Sequence, residues 1–201
     1  MMKQYVIFDV GANDGRTFER YFGNSHYQIY LFEPTPKLCK DIRQWINQYS
    51  NVHLVESAVD ADESPKTFHI AGQADWGCSS LHEFSDNLDK TWPERPDLKV
   101  TDTITVPCIR LDTFIECNKI DAIDYLHIDT QGNDLNVLKS LGDYVNIVKE
   151  GQIEVPMNDL VKLYKTQHRL EETREWLLSN GFVISNASSQ QNEYNWYFKR
   201  K

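Results

Sequence analysis

Short apolar runs alternate with amphipathic stretches along most of the chain. The run Tyr5–Val10 is rich in β-branched and aromatic residues and stops at Gly11, which is typical of a strand buried on both faces of a parallel sheet. The stretch Pro36–Tyr49 instead spaces its apolar residues about 3.6 positions apart, which predicts a helix. Because such units repeat, the sequence predicts an α/β fold with a doubly wound, Rossmann-like sheet.

The other predicted elements continue this alternation until the last part of the chain. Further strands are predicted at Gln28–Phe32, Val52–Glu56, Lys66–Ala71, Ile104–Ile109, Ile123–Ile128 and Val148–Val155. Further helices are predicted at Thr17–Phe22, Leu111–Cys117, Leu135–Leu141 and Arg169–Leu178. The strand runs Phe182–Ser185 and Trp196–Lys199, joined by polar residues, predict a C-terminal antiparallel hairpin that makes the sheet mixed.

Length and charge narrow the classes of function. A chain of 201 residues fits a single domain, residues 1–201, with an irregular segment at about 72–103. The formal net charge of −9 repels phosphate backbones, so no nucleic-acid partner is expected. No apolar run approaches the ~20 residues of a spanning helix and no signal-peptide pattern opens the chain, so we expect a cytoplasmic protein without a membrane span. The four widely spaced cysteines are expected to be buried thiols, not a zinc or redox site.

A glycine turn follows the first predicted strand. Gly11 and Gly15 allow a tight turn and the close approach of a ligand, and Glu33 ends the second strand, where a carboxylate can accept hydrogen bonds from a ribose diol. The GxGxxG pattern of dinucleotide sites is absent, because Asn13 stands at the position of the second glycine. The acidic start at Asp9 suits a ligand that carries an ammonium and a sulfonium. The turn therefore favours S-adenosylmethionine over NAD as the cofactor.

Several segments spread through most of the chain carry a wider resemblance. They are FDVGANDG (8–15), LFEPTP (31–36), VESAVDADE (55–63), CSSL (78–81), VPCIRLDTF (106–114), IDYLHIDTQGNDLNVLKSL (123–141) and IEVP (153–156). Together they resemble the FkbM-type methyltransferases, which are class I enzymes that use S-adenosylmethionine. The resemblance implies a seven-stranded sheet with Asp9, Gly11, Asn13 and Glu33 around the cofactor. The expected cofactor site also includes Gly15, Ala58, Val59 and Asp129.

The resemblance further implies methylation of a hydroxyl oxygen on a small or glycan-linked acceptor, with a sugar as the expected acceptor. Three positions depart from the family pattern. The family usually shows an acidic residue where Gln131 stands, Glu where Asp134 stands, and often Lys where His127 stands. These positions bear on how the acceptor's proton is handled.

Methyl transfer to an alcohol requires alignment of the acceptor oxygen and removal of its proton. Asp129 and Glu154 lie at the carboxyl ends of two predicted strands, so both can face one crevice, and His127 lies on the same side of its strand as Asp129. Asp129 is the first choice for the base; the alternative is that it caps the turn near Gly132. Glu154 could contact the acceptor or form an ordinary ion pair. For His127 a structural, hydrogen-bonded role is favoured over a catalytic one.

Two further expectations concern hard cations and the acceptor. Asp129, Asp134 and Glu154 could bind a divalent cation through carboxylate oxygens, but we do not favour a metal, since acids at a helix start are also common. The candidate acceptor contacts are Trp76, Ser79, Ser80 and Trp92, all in the irregular segment. A serine pair is equally typical of turns.

Two rival classes remain open alongside the O-methyltransferase. One is an NAD-type Rossmann oxidoreductase, which the absent GxGxxG and the absent Tyr-x-x-x-Lys pair disfavour. The other is a noncatalytic cofactor-binding module, since the turn residues are intact while the proton-handling positions are altered. Oligomeric state is left open by the sequence.

Overall fold

A seven-stranded mixed sheet runs through the computed structural model, which describes residues 4–72, 76–190 and 192–201. The strands are β1 (Tyr5–Val10), β2 (Tyr27–Phe32), β3 (Val52–Val55), β4 (Ala58–Val59), β5 (Lys66–Ile70), β6 (Asp102–Val106), β7 (Cys108–Ile109), β8 (Ile123–Ile128), β9 (Val148–Pro156), β10 (Phe182–Gln190) and β11 (Glu193–Arg200). The α-helices are α1 (Pro36–Ile46), α2 (Leu88–Thr91), α3 (Leu111–Asn118), α4 (Asp134–Lys139) and α5 (Leu170–Ser179). Short 3₁₀ helices cover Glu19–Tyr21, Trp76–Cys78 and Gly142–Ile147.

The strand order in the main sheet is β10-β11-β9-β8-β1-β2-β3. Strands β1, β2, β3, β8 and β9 are parallel, whereas β11 runs antiparallel to both β9 and β10. The chain builds outward from β1 to β3 and then returns to place β8 on the other side of β1. This reversal between β1 and β8 is the switch point at which ligands bind in doubly wound sheets. The predicted fold class is confirmed.

The sheet is buried on both faces near β1, as the apolar run predicts. Phe8 and Val10 point into the larger core, which α3, α4 and α5 cover. Ile7 points to the opposite face, where it packs with Ile29 and Ile42 beneath α1. Alternating residues of one strand thus serve two cores, because successive side chains of a strand leave opposite faces.

The C-terminal hairpin is longer than predicted. Strands β10 and β11 pair from Phe182 opposite Arg200 to Gln190 opposite Glu193, so residues predicted as a polar connection belong to the ladder. A register irregularity lies between Ile184 and Asn186. Strand pairing uses backbone groups, so polar side chains do not prevent it.

Other boundaries also differ from the prediction. The helix expected at 17–22 is only a 3₁₀ turn at Glu19–Tyr21. Strand β5 pairs with β6 in a separate antiparallel sheet instead of joining the main one. The run predicted at 104–109 is divided at Pro107, whose nitrogen carries no hydrogen to donate to a ladder. The piece after it, β7, pairs with β4, a strand that was not predicted.

The irregular segment is packed against residues 157–168, which follow β9. The Ser85 N–H donates to the Leu163 carbonyl at 2.8 Å, and the Lys165 N–H donates to the Glu83 carbonyl at 2.9 Å. A small apolar cluster forms between the two segments; its buried members are Trp92, Leu98, Leu163 and Tyr164. The predicted irregular segment therefore has a core of its own beside the main sheet. None of the helices in the described parts of the chain is long and apolar enough to span a bilayer.

Candidate active site

The turn after β1 lies directly against the end of β8. Gly11 has a φ of +85°, and its N–H donates to the Phe32 carbonyl at 3.0 Å. A Cβ at Gly11 would lie 1.8 Å from the Asp129 carbonyl oxygen, so only glycine permits this approach. Asn13, with a φ of +52°, completes the turn in the left-handed region. The turn thereby brings the ends of β1, β2 and β8 together.

Glu33 lies just beyond β2 and faces this turn. Its side chain is buried, and each carboxylate oxygen accepts one backbone N–H: that of Asn13 at 2.9 Å and that of Thr35 at 2.8 Å. Burial raises the pKa of Glu33 above its usual value, and the hydrogen bonds from Thr35 and Asn13 act in the opposite direction. Both oxygens retain lone pairs for further donors.

A first cavity of about 490 Å³ opens above the turn. Its polar wall includes Asn13, Glu33, Ser79, Asp129 and Gln131. Its apolar wall includes Val10, Phe32, Ala58, Val59 and Phe68. The cavity has the mixture of apolar walls and a few polar groups that is typical of small-molecule sites.

A second cavity of about 800 Å³ adjoins the first. Asn13, Gly77, Asp129 and Gln131 line both cavities. The wall of the second cavity also contains Trp92, Arg95, Leu98, Glu154, Leu163 and Glu193. Asp129 is the carboxylate that these two walls share, and Glu154 and Glu193 are the further acids of the second cavity.

The acids of this region perturb one another. Burial raises the pKa of Glu154 well above its usual value, and the charges of Asp129 and Glu193 raise it further. Burial together with the charges of Asp129 and Asp134 raises the pKa of Glu193 to about 8. Protonated carboxyl groups can donate hydrogen bonds. With a pKa of about 8, Glu193 therefore offers the second cavity a hydrogen-bond donor at neutral pH.

Asp134 caps the turn after β8. The Asp134 carboxylate accepts the Thr130 N–H at 2.9 Å and the Gly132 N–H at 3.0 Å. This is the structural role that the sequence left open for Asp129. The described bond of the Asp129 side chain is instead with the Gln131 amide, whose Nε2 lies 2.7 Å from Asp129 Oδ1. The Asp129 carboxylate therefore lies at the cavities.

The structure does not bring Asp9, Gly15 or His127 to the walls of either cavity. Asp9 Oδ1 lies 2.7 Å from His127 Nδ1 inside the protein. Burial disfavours a charged His127, but the hydrogen bond and charge of Asp9 outweigh it, so the pKa of His127 is raised. A Cβ at Gly15 would meet side chains of the α1 face, such as Trp45, at 3.2 Å. These three residues shape the turn and the sheet behind the cavities.

The four candidate acceptor residues differ in placement. Ser79 lines the first cavity, and its hydroxyl accepts the Ala71 N–H at 3.1 Å. Ser80 lines neither cavity; its hydroxyl donates to the Gln131 carbonyl at 2.6 Å and so secures the turn. Trp92 lines the second cavity, but it is only 7% exposed, and its indole N–H donates to the Val161 carbonyl at 3.3 Å. The side chain of Trp76 lies outside the described part of the structure.

Sequence reasoning missed three residues of this region. The sequence marks Gln131 only as a departure from a family pattern, and it places Glu193 in a polar connection. Tyr164 was assigned to no element, yet its hydroxyl lies 2.8 Å from Gln131 Oε1. For Tyr164 and Glu193 no local pattern marks the residue, because each reaches the site through the packing of a distant segment. Among the described residues, no three His, Cys, Asp or Glu side chains are grouped so that they could hold a metal ion.

A parallel sheet with its glycine turn at the switch point, an acid beyond β2 and a reversed C-terminal hairpin define a class I methyltransferase fold, whose cofactor is S-adenosylmethionine. The model of the Methyltransferase FkbM domain matches residues 9–184. The chain therefore belongs to the FkbM methyltransferase family.

One curated relative and two solved structures give further context. The 2-O-methyltransferase NoeI of Sinorhizobium fredii is 26% identical over 140 residues, which cover 66% of this chain and 56% of that protein. This chain thus spans little more than half the length of that relative. Aeropyrum pernix fibrillarin with bound S-adenosyl-L-methionine has a TM-score of 0.55 at 9% identity, covering 98% of this chain and 67% of that one. TrmK of M. capricolum with S-adenosyl-homocysteine has a TM-score of 0.50 at 11% identity, covering 100% and 64%. These two likenesses concern the fold.

The first cavity fits this cofactor on two observations. Each Glu33 oxygen accepts one backbone N–H, and with the further hydrogen bond from the Thr35 side chain the carboxylate still has acceptor capacity for a ribose hydroxyl. Apolar side chains such as Val59 and Phe68 suit a purine ring.

Proposed function

We propose that the chain transfers a methyl group from S-adenosylmethionine to a hydroxyl oxygen of a small or glycan-linked acceptor, namely a sugar, held in the second cavity. The observation that carries the proposal is that the two cavities meet at Asp129, the carboxylate that lines both. A base at such a junction reaches the acceptor oxygen on the side where the methyl group is delivered.

Different residues of the first cavity would bind different parts of the cofactor. Glu33 would hold the ribose diol, the turn from Gly11 to Asn13 the methionine portion, and Ala58 and Val59 the base. When bound, the cofactor supplies a methyl group on a sulfonium, which is a reactive electrophile. The protein's task is then to align the acceptor oxygen with that methyl group.

Proton handling falls to the acids of the second cavity. The acceptor oxygen gains a carbon–oxygen bond as the carbon–sulfur bond breaks, and its proton passes to the Asp129 carboxylate. Glu154, whose pKa is raised by burial and by the charge of Asp129, would form a hydrogen bond with a neighbouring hydroxyl of the acceptor. We do not count His127 among the residues that handle the proton, because its ring faces Asp9 behind the cavities.

Two further points favour a hydroxyl acceptor. The relative NoeI is named as a 2-O-methyltransferase. The second cavity presents carboxyl, amide and guanidinium groups, and apolar surface from Leu98 and Leu163. Alternating polar groups and apolar patches suit a sugar ring, which has hydroxyls at its edge and C–H groups on its faces.

The test is methyl transfer from isotope-labelled S-adenosylmethionine to a panel of free sugars and their methyl glycosides, with matched amine and thiol analogues. We expect turnover on a hydroxyl acceptor, rising with pH to a plateau as the base ionises. Asp129→Asn keeps the size of the side chain but cannot take a proton, so it should lower turnover by ~10²- to 10⁴-fold. The affinity for S-adenosylhomocysteine and the melting temperature should change little. Faster turnover on an amine, or wild-type turnover in Asp129→Asn, would overturn the proposal.

A further inference from the structure

Three side chains from distant parts of the chain meet at the junction of the cavities. Gln131 lies in the turn after β8, Glu154 in β9 and Tyr164 in the segment that follows β9. Gln131 Nε2 donates to Asp129 Oδ1 at 2.7 Å and to Glu154 Oε2 at 3.2 Å. On the other side of the same amide, the Tyr164 hydroxyl lies 2.8 Å from Gln131 Oε1. One amide therefore bridges two acids and a phenol.

The orientation of this amide is determined by its neighbours. An amide has a donating end and an accepting end, and a hydroxyl proton can satisfy only the accepting end. The carbonyl oxygen faces the Tyr164 hydroxyl, so both N–H groups face the two acids. The reverse orientation would direct the carbonyl oxygen at Asp129 and the N–H groups at Tyr164. The two acids therefore select the orientation in which Gln131 donates to Asp129, and the Tyr164 hydroxyl, whose proton is shared with the Cys78 carbonyl at 2.8 Å, supports it.

The backbone around Gln131 is also fixed. Gln131 has a φ of +57° and is followed by Gly132 at +95°. The Ser80 hydroxyl donates to the Gln131 carbonyl at 2.6 Å, and the Gly132 N–H donates to Asp134. A Cβ on residue 132 would approach the Tyr164 ring to 2.9 Å, so glycine at this position lets the ring lie against the turn. Both ends of the Gln131 residue are thus constrained.

We infer that Gln131, held between the two acids and the Tyr164 hydroxyl, is a positioning residue that fixes the Asp129 carboxylate at the junction of the two cavities. The inference rests on the proposed function in one respect, namely that Asp129 receives the proton. An amide donor stabilises negative charge on the acid that it contacts. A carboxylate in its place would repel the Asp129 carboxylate and would offer no N–H to either acid. The charged or titratable groups that face this cluster from the surrounding elements are Cys78, Arg95, His127, Asp134, Tyr164 and Glu193.

The inference predicts that Gln131→Glu lowers the turnover of methyl transfer. An acidic residue is what the family pattern usually places here. If an acid at this position served as a second base, the substitution would maintain or raise turnover. In this chain, by contrast, the acid would face Asp129, Glu154 and the Tyr164 hydroxyl, so we expect turnover to fall. Gln131→Leu removes the same donors without adding charge, and Tyr164→Phe removes only the hydroxyl.

The first experiment needs no acceptor. Exchange of the side-chain amide hydrogens is followed by ¹⁵N NMR in the full chain, with the Gln131 signal assigned through Gln131→Leu and with exposed Gln44 as the reference. We expect slow exchange at Gln131 that accelerates about tenfold in Tyr164→Phe. Equal exchange rates at Gln131 and Gln44 in the wild-type chain would overturn the inference, as would an unchanged rate in Tyr164→Phe.

The second experiment measures methyl transfer on the sugar that gives the highest turnover in the panel. Gln131→Leu, Gln131→Glu and Tyr164→Phe should lower kcat, on the order of 10²-fold for the Gln131 variants, with little change in KM for S-adenosylmethionine. Gln152→Leu is the matched control, since that amide contacts Asn195 outside both cavities. Wild-type kcat in Gln131→Glu would overturn the inference. If no sugar is methylated by the wild-type chain, the proposed function fails, while amide exchange still decides the inference. Tyr164→Phe retains the buried ring, so it carries the test should a Gln131 variant fail to fold.

Discussion

The carboxylate of Glu33 offers the sharpest test of the cofactor site. The side chain is only 4% exposed, and its two oxygens each accept a single backbone N–H. Removal of the carboxylate in Glu33→Ala eliminates the acceptors for the ribose diol. A hydrogen bond to a charged group contributes ~1.5–3 kcal/mol, which corresponds to a loss of about tenfold to a hundredfold in affinity. Glu33→Gln keeps the size of the side chain and one acceptor, so it should lose less.

The assay is isothermal titration calorimetry with S-adenosylhomocysteine. Glu175→Gln, which makes the same change in charge at an exposed position on α5, should leave the Kd unchanged. A pH series adds a second measurement. Burial raises the pKa of Glu33, so the wild-type affinity should fall as pH is lowered through this raised value, which lies above the ordinary 4.5. Glu33→Gln should show no such loss.

Two controls separate binding from folding. Glu33→Ala leaves two backbone N–H groups without their carboxylate, so we expect a loss of ~1–3 kcal/mol in the free energy of unfolding, measured in urea. Affinity is therefore compared only under conditions in which the variant is folded. A Kd within about twofold of wild type in folded Glu33→Ala would refute the assignment of the ribose diol to Glu33.

Three further predictions concern stability. Gly11→Ala would place a Cβ 1.8 Å from a backbone oxygen, so the variant should lose more than ~3 kcal/mol in the free energy of unfolding or fail to fold. Gly23→Ala is the control: its φ is +74° and its nearest neighbour would lie at 3.4 Å, so it should lose only ~1–2 kcal/mol. Equal losses in urea denaturation would contradict the close approach at Gly11. Asp134→Asn should lose ~1–3 kcal/mol because it weakens the cap of the turn, while turnover per folded molecule stays near normal, which is the reverse of Asp129→Asn. Glu193 has a pKa raised from 4.5 to about 8, so the folded chain holds this proton more tightly than the unfolded chain. The resulting contribution to the free energy of unfolding is present below about pH 4.5 and is lost as the pH rises through about 8. Glu193→Gln should flatten that decline in the free energy of unfolding, and an unchanged slope would show that other groups cause it.

Much of the fold was determined by local sequence. The buried run Tyr5–Val10, the turn at Gly11 and the helix that starts at Pro36 lie where the pattern predicts them, because each depends on neighbours within a few positions. The same holds for Glu33, whose position just beyond a strand brings it to the switch point in any doubly wound sheet. A strand end and a turn depend on short segments of the chain, so both can be predicted from the sequence.

The contacts at the junction of the cavities were decided by tertiary structure. Asp129 and Asp134 both follow β8, and only the folded turn shows that Asp134 caps it while the Asp129 carboxylate bonds to Gln131. The Tyr164 hydroxyl and the Gln131 amide are 33 positions apart, so no local period relates them. Glu193 reaches the second cavity because β11 inserts between β9 and β10. Side-chain direction and long-range packing depend on which distant segments share the same space, and this is settled only when the whole chain folds.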